Sequence, residues 1–178
     1  MKLLRCLICG ETYLGTEAPG RCPFCGVTAE YFVPTEEYPS DINAVALAEA
    51  EHTDLRTAVE LERGNARFYA ALGIQTGNAP LTSVYKRLSA IEAEHCSVFS
   101  KLLGAPKPVD LRIPSSCTGS WCTDIAESLE RERLAAAFYA GAATRATNER
   151  LRSVLSAISA VEQDHIEIDT LAARIAAC

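Results

Sequence analysis

The sequence predicts a mostly α protein: a four-helix bundle preceded by a small cysteine-rich metal ribbon. Three observations carry this. Two Cys-x-x-Cys-Gly knuckles lie within the first 26 residues. From about residue 53 onward the chain is low in glycine, rich in Ala, Leu, Glu and Arg, and apolar at helical spacing. The same stretch repeats itself at an offset of 70 residues, as two copies of one helix pair would.

The ribbon comes first. Cys6-Leu7-Ile8-Cys9-Gly10 and Cys22-Pro23-Phe24-Cys25-Gly26 are separated by 12 residues. Each knuckle presents two thiolates from one tight turn, and the following glycine permits the positive φ such a turn needs. Together they close a tetrahedral sulfur site, for zinc or for iron. Residues 1–34 are assigned to this module and 35–52 to a linker. Pro34 and Pro39 resist helix there, and Ser40 is placed to cap a short helix ending near Glu51. Residues 53–178 form the bundle.

The repeat defines its four helices. Thr53-Asp54 matches Thr123-Asp124, and both look like caps. Glu60, Glu62 and Arg63 match Glu130, Glu132 and Arg133; Phe68-Tyr69-Ala70 matches Phe138-Tyr139-Ala140. Asn78, Leu81, Ser83, Val84, Glu92 and His95 match Asn148, Leu151, Ser153, Val154, Glu162 and His165. With Ala66, Ser89 and Ala90, 17 of 43 positions are identical without a gap. Helices are expected near 54–73, 80–103, 124–145 and 148–176, with a long crossover from Gly104 to Cys122 between the pairs.

The chemistry follows the repeat. Glu92-Ala93-Glu94-His95 and Glu162-Gln163-Asp164-His165 each put a carboxylate and an imidazole on one helical face. Glu62 and Glu132 lie two turns before Tyr69 and Tyr139, so each tyrosine shares its glutamate's face. One Glu from each of two helices plus Glu-x-x-His from the other two is the arrangement of di-iron and di-manganese carboxylate bundles. Four carboxylates neutralise two divalent ions, whereas burying them without cations is very costly. Tyr69 and Tyr139 are candidates for orienting the ligand carboxylates, and Asp169, four residues after His165, for orienting an imidazole or being solvated. Glu94 and Asp164 point away from their neighbouring histidines, and His52 lies too early to reach the metals. Cys96 reads as a buried core thiol. Cys117 and Cys122 share the crossover as a redox pair or as free thiols, and Cys178 has no assigned role.

On these residues the bundle resembles the ferritin-like superfamily, and the chain from Cys6 to about Ile168 resembles rubrerythrin. The knuckle spacing and the stretch from Gly15 to Cys25 are similar to the short rubredoxin-like module of that family, placed ahead of the bundle as in its reverse variety. The resemblance implies an Fe(Cys)4 centre, a di-iron centre, and reduction of hydrogen peroxide, or dioxygen, to water. It implies a separate electron-donor protein linked to NAD(P)H. Carried over, Glu92 and Glu162 bridge the irons, and Glu62, Glu132, His95 and His165 are terminal. It also implies a homodimer or larger, with the ribbon of one subunit near the bundle of another. One departure stands out. Many rubrerythrins carry a further carboxylate three residues after the helix-3 glutamate; here that position is Ala135, and its repeat partner is Asn65. The six-residue set is closer to ferritin-type ferroxidase centres, which leaves a ferroxidase or iron-handling role with a structural zinc ribbon as the alternative. Manganese is the alternative to iron in the bundle.

Composition narrows the setting. The chain has 178 residues, 48% hydrophobic and 22% charged, with a formal net charge of −6. No Lys/Arg cluster offers nucleic acid a footprint. No apolar run reaches the length of a membrane span, and the first residues lack the apolar core of a secretory signal. A cytoplasmic protein is expected, and in a reducing compartment its eight cysteines read as metal or redox groups.

Overall fold

The computed structural model describes all residues, Met1–Cys178. Four long helices make up the bundle: α1 (Glu49–Leu72), α2 (Ala79–Leu103), α3 (Trp121–Arg145) and α4 (Glu149–Ala176). Helix α1 packs chiefly on α2 and α3 on α4, so each copy of the repeat is one helix hairpin. The matched Asn-x-x-Leu of the repeat explains the hairpin turns. Asn78 and Asn148 are the N-caps of α2 and α4, their Oδ1 atoms accepting from the Leu81 and Leu151 amides at 3.2 and 3.0 Å. No helix is long and apolar enough to cross a membrane.

The crossover between α2 and α3 is anchored by charge and by one apolar plug. Gly104 ends α2 in the left-handed region. Asp110 then accepts from Arg63 at 2.9 and 2.7 Å and pairs with Arg67 at 3.0 Å. Leu111 is buried against Ala66 and Cys96. At the far end the buried Asp124 accepts from the Thr118 hydroxyl and the Thr118 and Gly119 amides, at 2.7 to 3.1 Å.

The N-terminal module is a three-stranded antiparallel sheet in the order β2-β1-β3, from β1 (Lys2–Cys6), β2 (Thr12–Gly15) and β3 (Phe32–Pro34). It docks on the bundle of its own chain. Ile8, Val27 and the four knuckle cysteines share one apolar core with Val98, Phe99, Leu102, Leu155, Ile158 and Val161 of the helices. Gly26 has a φ of +82°, and a Cβ there would come within 2.7 Å of Val161. That position therefore needs glycine for its backbone and for its contact.

Two local expectations are overturned. The short helix from Ser40 to Glu51 does not form. Residues 39–48 run as turns and extended chain, with Ala44 bonded back to Asp41 at 2.7 Å, and helix begins only at Glu49. Thr53 and Thr123 are not caps. Both lie inside helices, the Thr53 hydroxyl donating to the Glu49 carbonyl at 3.0 Å. The start of α1 is held instead by Glu51, only 4% exposed. One carboxylate oxygen accepts from the Ala48 amide at 2.8 Å; the other accepts from the Thr147 and Asn148 amides at 2.8 Å and the Thr147 hydroxyl at 3.0 Å. One acid thus ties the start of α1 to the α3–α4 turn.

The Asn148 amide and the other donors pull the Glu51 carboxyl from the usual 4.5 down to about 2, against the cost of burial. Its contribution to stability is therefore complete above about pH 4.5 and is lost as pH falls through about 2. Glu51→Gln is expected to lower stability by about 2 kcal/mol at neutral pH. The difference from wild type should close in strong acid, as read by denaturant unfolding across pH.

Candidate metal centres

The two knuckles face each other. Gly10 and Gly26 take φ values of +81° and +82°, and their amides bond back to the Cys6 and Cys22 carbonyls at 2.8 and 2.9 Å. This curls each loop around its pair of sulfurs. The four Sγ atoms lie within 4.8 Å of one another, with Cys6–Cys25 at 3.8 Å and Cys9–Cys22 at 3.9 Å. Four buried sulfurs at this spacing suit a tetrahedral metal.

In the bundle, the predicted set of six meets at one place. Glu62 from α1, Glu92 and His95 from α2, Glu132 from α3, and Glu162 and His165 from α4 are all buried to 2% exposure or less. They form two overlapping groups: Glu62, Glu92, His95 and Glu162, and Glu92, Glu132, Glu162 and His165, each with ligand atoms within 4.8 Å. Glu92 and Glu162 belong to both groups. His165 Nδ1 lies 2.9 Å from an oxygen of each, and His95 Nδ1 lies 3.3 and 3.2 Å from them. The imidazoles are nearly parallel, with centroids 6.1 Å apart.

The polar accounting shows what this cluster lacks. Glu62 Oε2, Glu92 Oε1, Glu132 Oε2, both Glu162 oxygens and His165 Nδ1 are buried without hydrogen bonds. His165 Nδ1 is near enough to two carboxylates, yet the geometry is not that of a hydrogen bond. Orphaned acceptors packed this tightly are severely unfavourable alone, whereas two divalent cations use all of them. Burial, followed by the neighbouring Glu92 and Glu162 charges, holds Glu62 and Glu132 well above the usual carboxylate range. Burial alone pushes both imidazoles down, but the surrounding carboxylates outweigh it; His95 rises to about 10. The residues fit a pair of cations and are poorly accommodated without them.

The tyrosines brace the site across the helix pair. Tyr69 of α1 donates to Glu132 of α3, and Tyr139 of α3 donates to Glu62 of α1. Helical phase alone put each tyrosine over its own helix's glutamate; side-by-side packing of α1 and α3 exchanges the partners. Asp169 does not orient an imidazole. It is fully buried and accepts from Tyr85 at 2.7 Å and from Ser128. Asp164 pairs with Arg21 of the module at 2.7 Å, and Glu94 is largely covered, facing Lys101 at 3.7 Å. Ala135 is buried among apolar neighbours. Cys96 is a buried thiol, raised to about 11 chiefly by burial. Cys117 is exposed and free, and Cys122 pairs with Cys178, not with Cys117. That disulfide joins the start of α3 to the end of α4, neighbours only because the hairpin brings them together.

One contact was invisible in the sequence. His95 Nε2 lies 2.9 Å from the backbone carbonyl of Cys25 and donates to it. One imidazole thus has its Nδ1 among the bundle carboxylates and its Nε2 on a knuckle cysteine. Lys101 and Arg150 hold the neighbouring loop, donating to the Cys9 and Ile8 carbonyls at 2.9 and 3.2 Å. The sequence signal for the His95 contact is absent, because its acceptor is a backbone carbonyl.

A family model described as the rubrerythrin rubredoxin-like domain matches residues 5–33. Reverse rubrerythrin-1 of Clostridium acetobutylicum is 32% identical over 114 residues. With its ribbon ahead of the bundle, the chain is similar in arrangement to that reverse rubrerythrin. The match covers 58% of this chain and 63% of the relative, so the chain spans less than two thirds of that reverse rubrerythrin's length. No solved structure matches the chain.

Two outcomes test the two centres separately. Glu92→Ala or Glu162→Ala is expected to drop the metal content of the bundle sharply while the ribbon keeps its metal, by metal analysis. Gly26→Ala, with a strained φ and a clash against Val161, is expected to loosen the module from α4. Proteolysis within residues 1–34 should accelerate, with helix content unchanged.

Proposed function

We propose that the chain is a non-haem di-iron oxidoreductase that reduces hydrogen peroxide, or dioxygen, to water with electrons entering through an Fe(Cys)4 ribbon. The observation that carries this is the His95–Cys25 hydrogen bond, a single imidazole in contact with both candidate centres. A structural ribbon has no need to touch a ligand of the second centre. In this reading Cys6, Cys9, Cys22 and Cys25 hold the ribbon iron. Glu62, Glu92, His95, Glu132, Glu162 and His165 would hold the two bundle irons, Glu92 and Glu162 being common to both residue groups.

Reducing one peroxide to two waters consumes two electrons and two protons, and bound irons supply the reversible electron store. The chain supplies the rest. The Cys25 carbonyl holds the His95 proton on Nε2, leaving the Nδ1 lone pair free for a metal. Tyr69 and Tyr139 fix one oxygen of Glu132 and of Glu62, keeping the other free to bind. Burial, first, and the nearby carboxylates keep both phenols protonated well beyond the usual range. Each therefore holds a proton at its oxygen beside the centre. The family resemblance supports a separate NAD(P)H-linked electron-donor protein, a homodimer or larger, and a cytoplasmic setting.

Ala135 supports a second reading. With no fifth carboxylate, the six-residue set also suits a ferroxidase whose ribbon holds zinc. The discriminating experiment is concrete. The purified protein is expected to be red from oxidised Fe(Cys)4. Cys9→Ser or Cys25→Ser should lose steady-state peroxide reduction driven by a donor protein. The same variants, reduced chemically and mixed once with peroxide, should still oxidise their bundle iron. A colourless, zinc-containing ribbon, or turnover that survives its loss, gives the ferroxidase reading the lead.

A further inference from the structure

The internal repeat gives both site tyrosines the same sequence setting, and the structure gives them different ones. Tyr139 shares one apolar core with Ala58, Phe99 and Leu155, all buried, with the Phe99 ring 5.2 Å away. At the same offset of 70, the positions around Tyr69 are Ser128, Asp169 and Tyr85. These three are also buried, but they are polar and joined. Tyr85 donates to Asp169 Oδ1 at 2.7 Å, and Ser128 Oγ lies 2.5 Å from Asp169 Oδ2 and 3.1 Å from the Tyr69 oxygen. Tyr69 in turn donates to Glu132. The rings continue outward: Tyr69 to Tyr85 is 5.7 Å, and Tyr85 stacks on Trp121 at 6.0 Å with planes 25° apart. Trp121 is half-buried at the bundle end, its Nε1 donating to the Thr76 carbonyl at 3.3 Å.

Packing does not require this. The apolar trio on the Tyr139 side fills the equivalent space without burying a carboxylate, and a buried Asp with no cation beside it is costly. The polar trio also leads away from the ribbon. The module shares its core with Phe99 and Tyr139, whereas Tyr69, Tyr85 and Trp121 pack in a separate cluster.

We propose that Tyr69, Tyr85 and Trp121 form a second one-electron route to the bundle metals, with Glu132 and Asp169 taking and returning the phenolic protons. This rests on the oxidoreductase reading above. Tyr69 gives an electron to the oxidised di-iron centre and its phenolic proton to Glu132, along the existing hydrogen bond. The Tyr69 radical is then refilled from Tyr85. The electron crosses between the rings. The Tyr85 proton moves to Asp169 Oδ1, and Glu132 returns its proton to the Tyr69 oxygen, each along an existing hydrogen bond. Trp121 next reduces the Tyr85 radical, which takes its proton back from Asp169, and the half-buried Trp121 loses its Nε1 proton to water. A small-molecule thiol in solution restores Trp121 by giving up one electron and one proton. Each passage delivers one electron to the centre.

The test uses the full chain, reduced and iron-loaded, mixed with excess peroxide in the absence of any donor protein. Oxidation of the centre is followed optically, radicals by freeze-quench EPR, and residue oxidation by peptide mass spectrometry. Wild type is expected to show an organic radical and oxidised Trp121. Tyr85→Phe should oxidise its centre yet lose Trp121 oxidation. Trp121→Phe, a change at the half-buried rim, should keep its metals and convert the signal to a tyrosyl radical alone. A centre that oxidises with no radical and intact Trp121 overturns the relay and leaves the function standing. So does Trp121 oxidation undiminished in Tyr85→Phe, or a radical signal unchanged in Trp121→Phe. A wild-type centre that peroxide does not oxidise overturns both readings.

Discussion

Four carboxylates and two imidazoles enclosed in the middle of a helical bundle are the constraint on which the rest of this molecule is arranged. Bare, they repel one another and leave lone pairs unused; charge-balanced by two divalent ions, they become the densest set of interactions in the fold. Every helix contributes to that set, so each helix must present its acidic residue in one phase and at one height. The repeat meets this requirement by applying one hairpin twice. The long crossover, pinned by Asp110 and Asp124, lets the second hairpin lie against the first.

The same constraint shapes what surrounds the centre. A buried carboxylate swings unless its second oxygen is held, and the tyrosines hold Glu62 and Glu132 from the neighbouring helix. That exchange makes the α1–α3 seam, with less extensive contact than the hairpins have, part of the site. Charge spreads outward to the module as well. Lys101, Arg150 and Asp164 of the bundle grip the knuckle loops, and His95 completes the contact from inside. Asp164 directly precedes His165, and His95 itself belongs to the cluster, so the seat of the ribbon is tied to the centre.

Departures from the two-fold repeat are where the two halves take on different work. His95 reaches a cysteine carbonyl, and its repeat partner His165 makes no such hydrogen bond. Tyr139 is backed by Phe99 and Leu155, whereas Tyr69 is backed by Asp169, Ser128 and Tyr85. The metal set stays symmetric while its two flanks diverge, one toward the ribbon and the other toward Trp121.

Much of this protein was legible from residue types and spacing. The knuckles, the four helices and the six clustered carboxylates and imidazoles all depend on local periodicity and on a repeat that places equal residues at equal heights. Those signals are carried within short stretches of chain, where helical phase decides what shares a face. What escaped the sequence depends on which atoms come together after packing. Glu51 binds the Thr147 and Asn148 amides, Cys178 meets Cys122, and Asp169 finds Tyr85 in place of an imidazole. The link from His95 to the Cys25 carbonyl belongs to the same class, since a backbone acceptor leaves no mark in composition. Sequence alone determined which groups meet in the core and on which helices, because helical phase is local. Tertiary structure alone decided their partners across helices and between module and bundle, because those contacts join residues far apart in the chain whose meeting no spacing rule encodes.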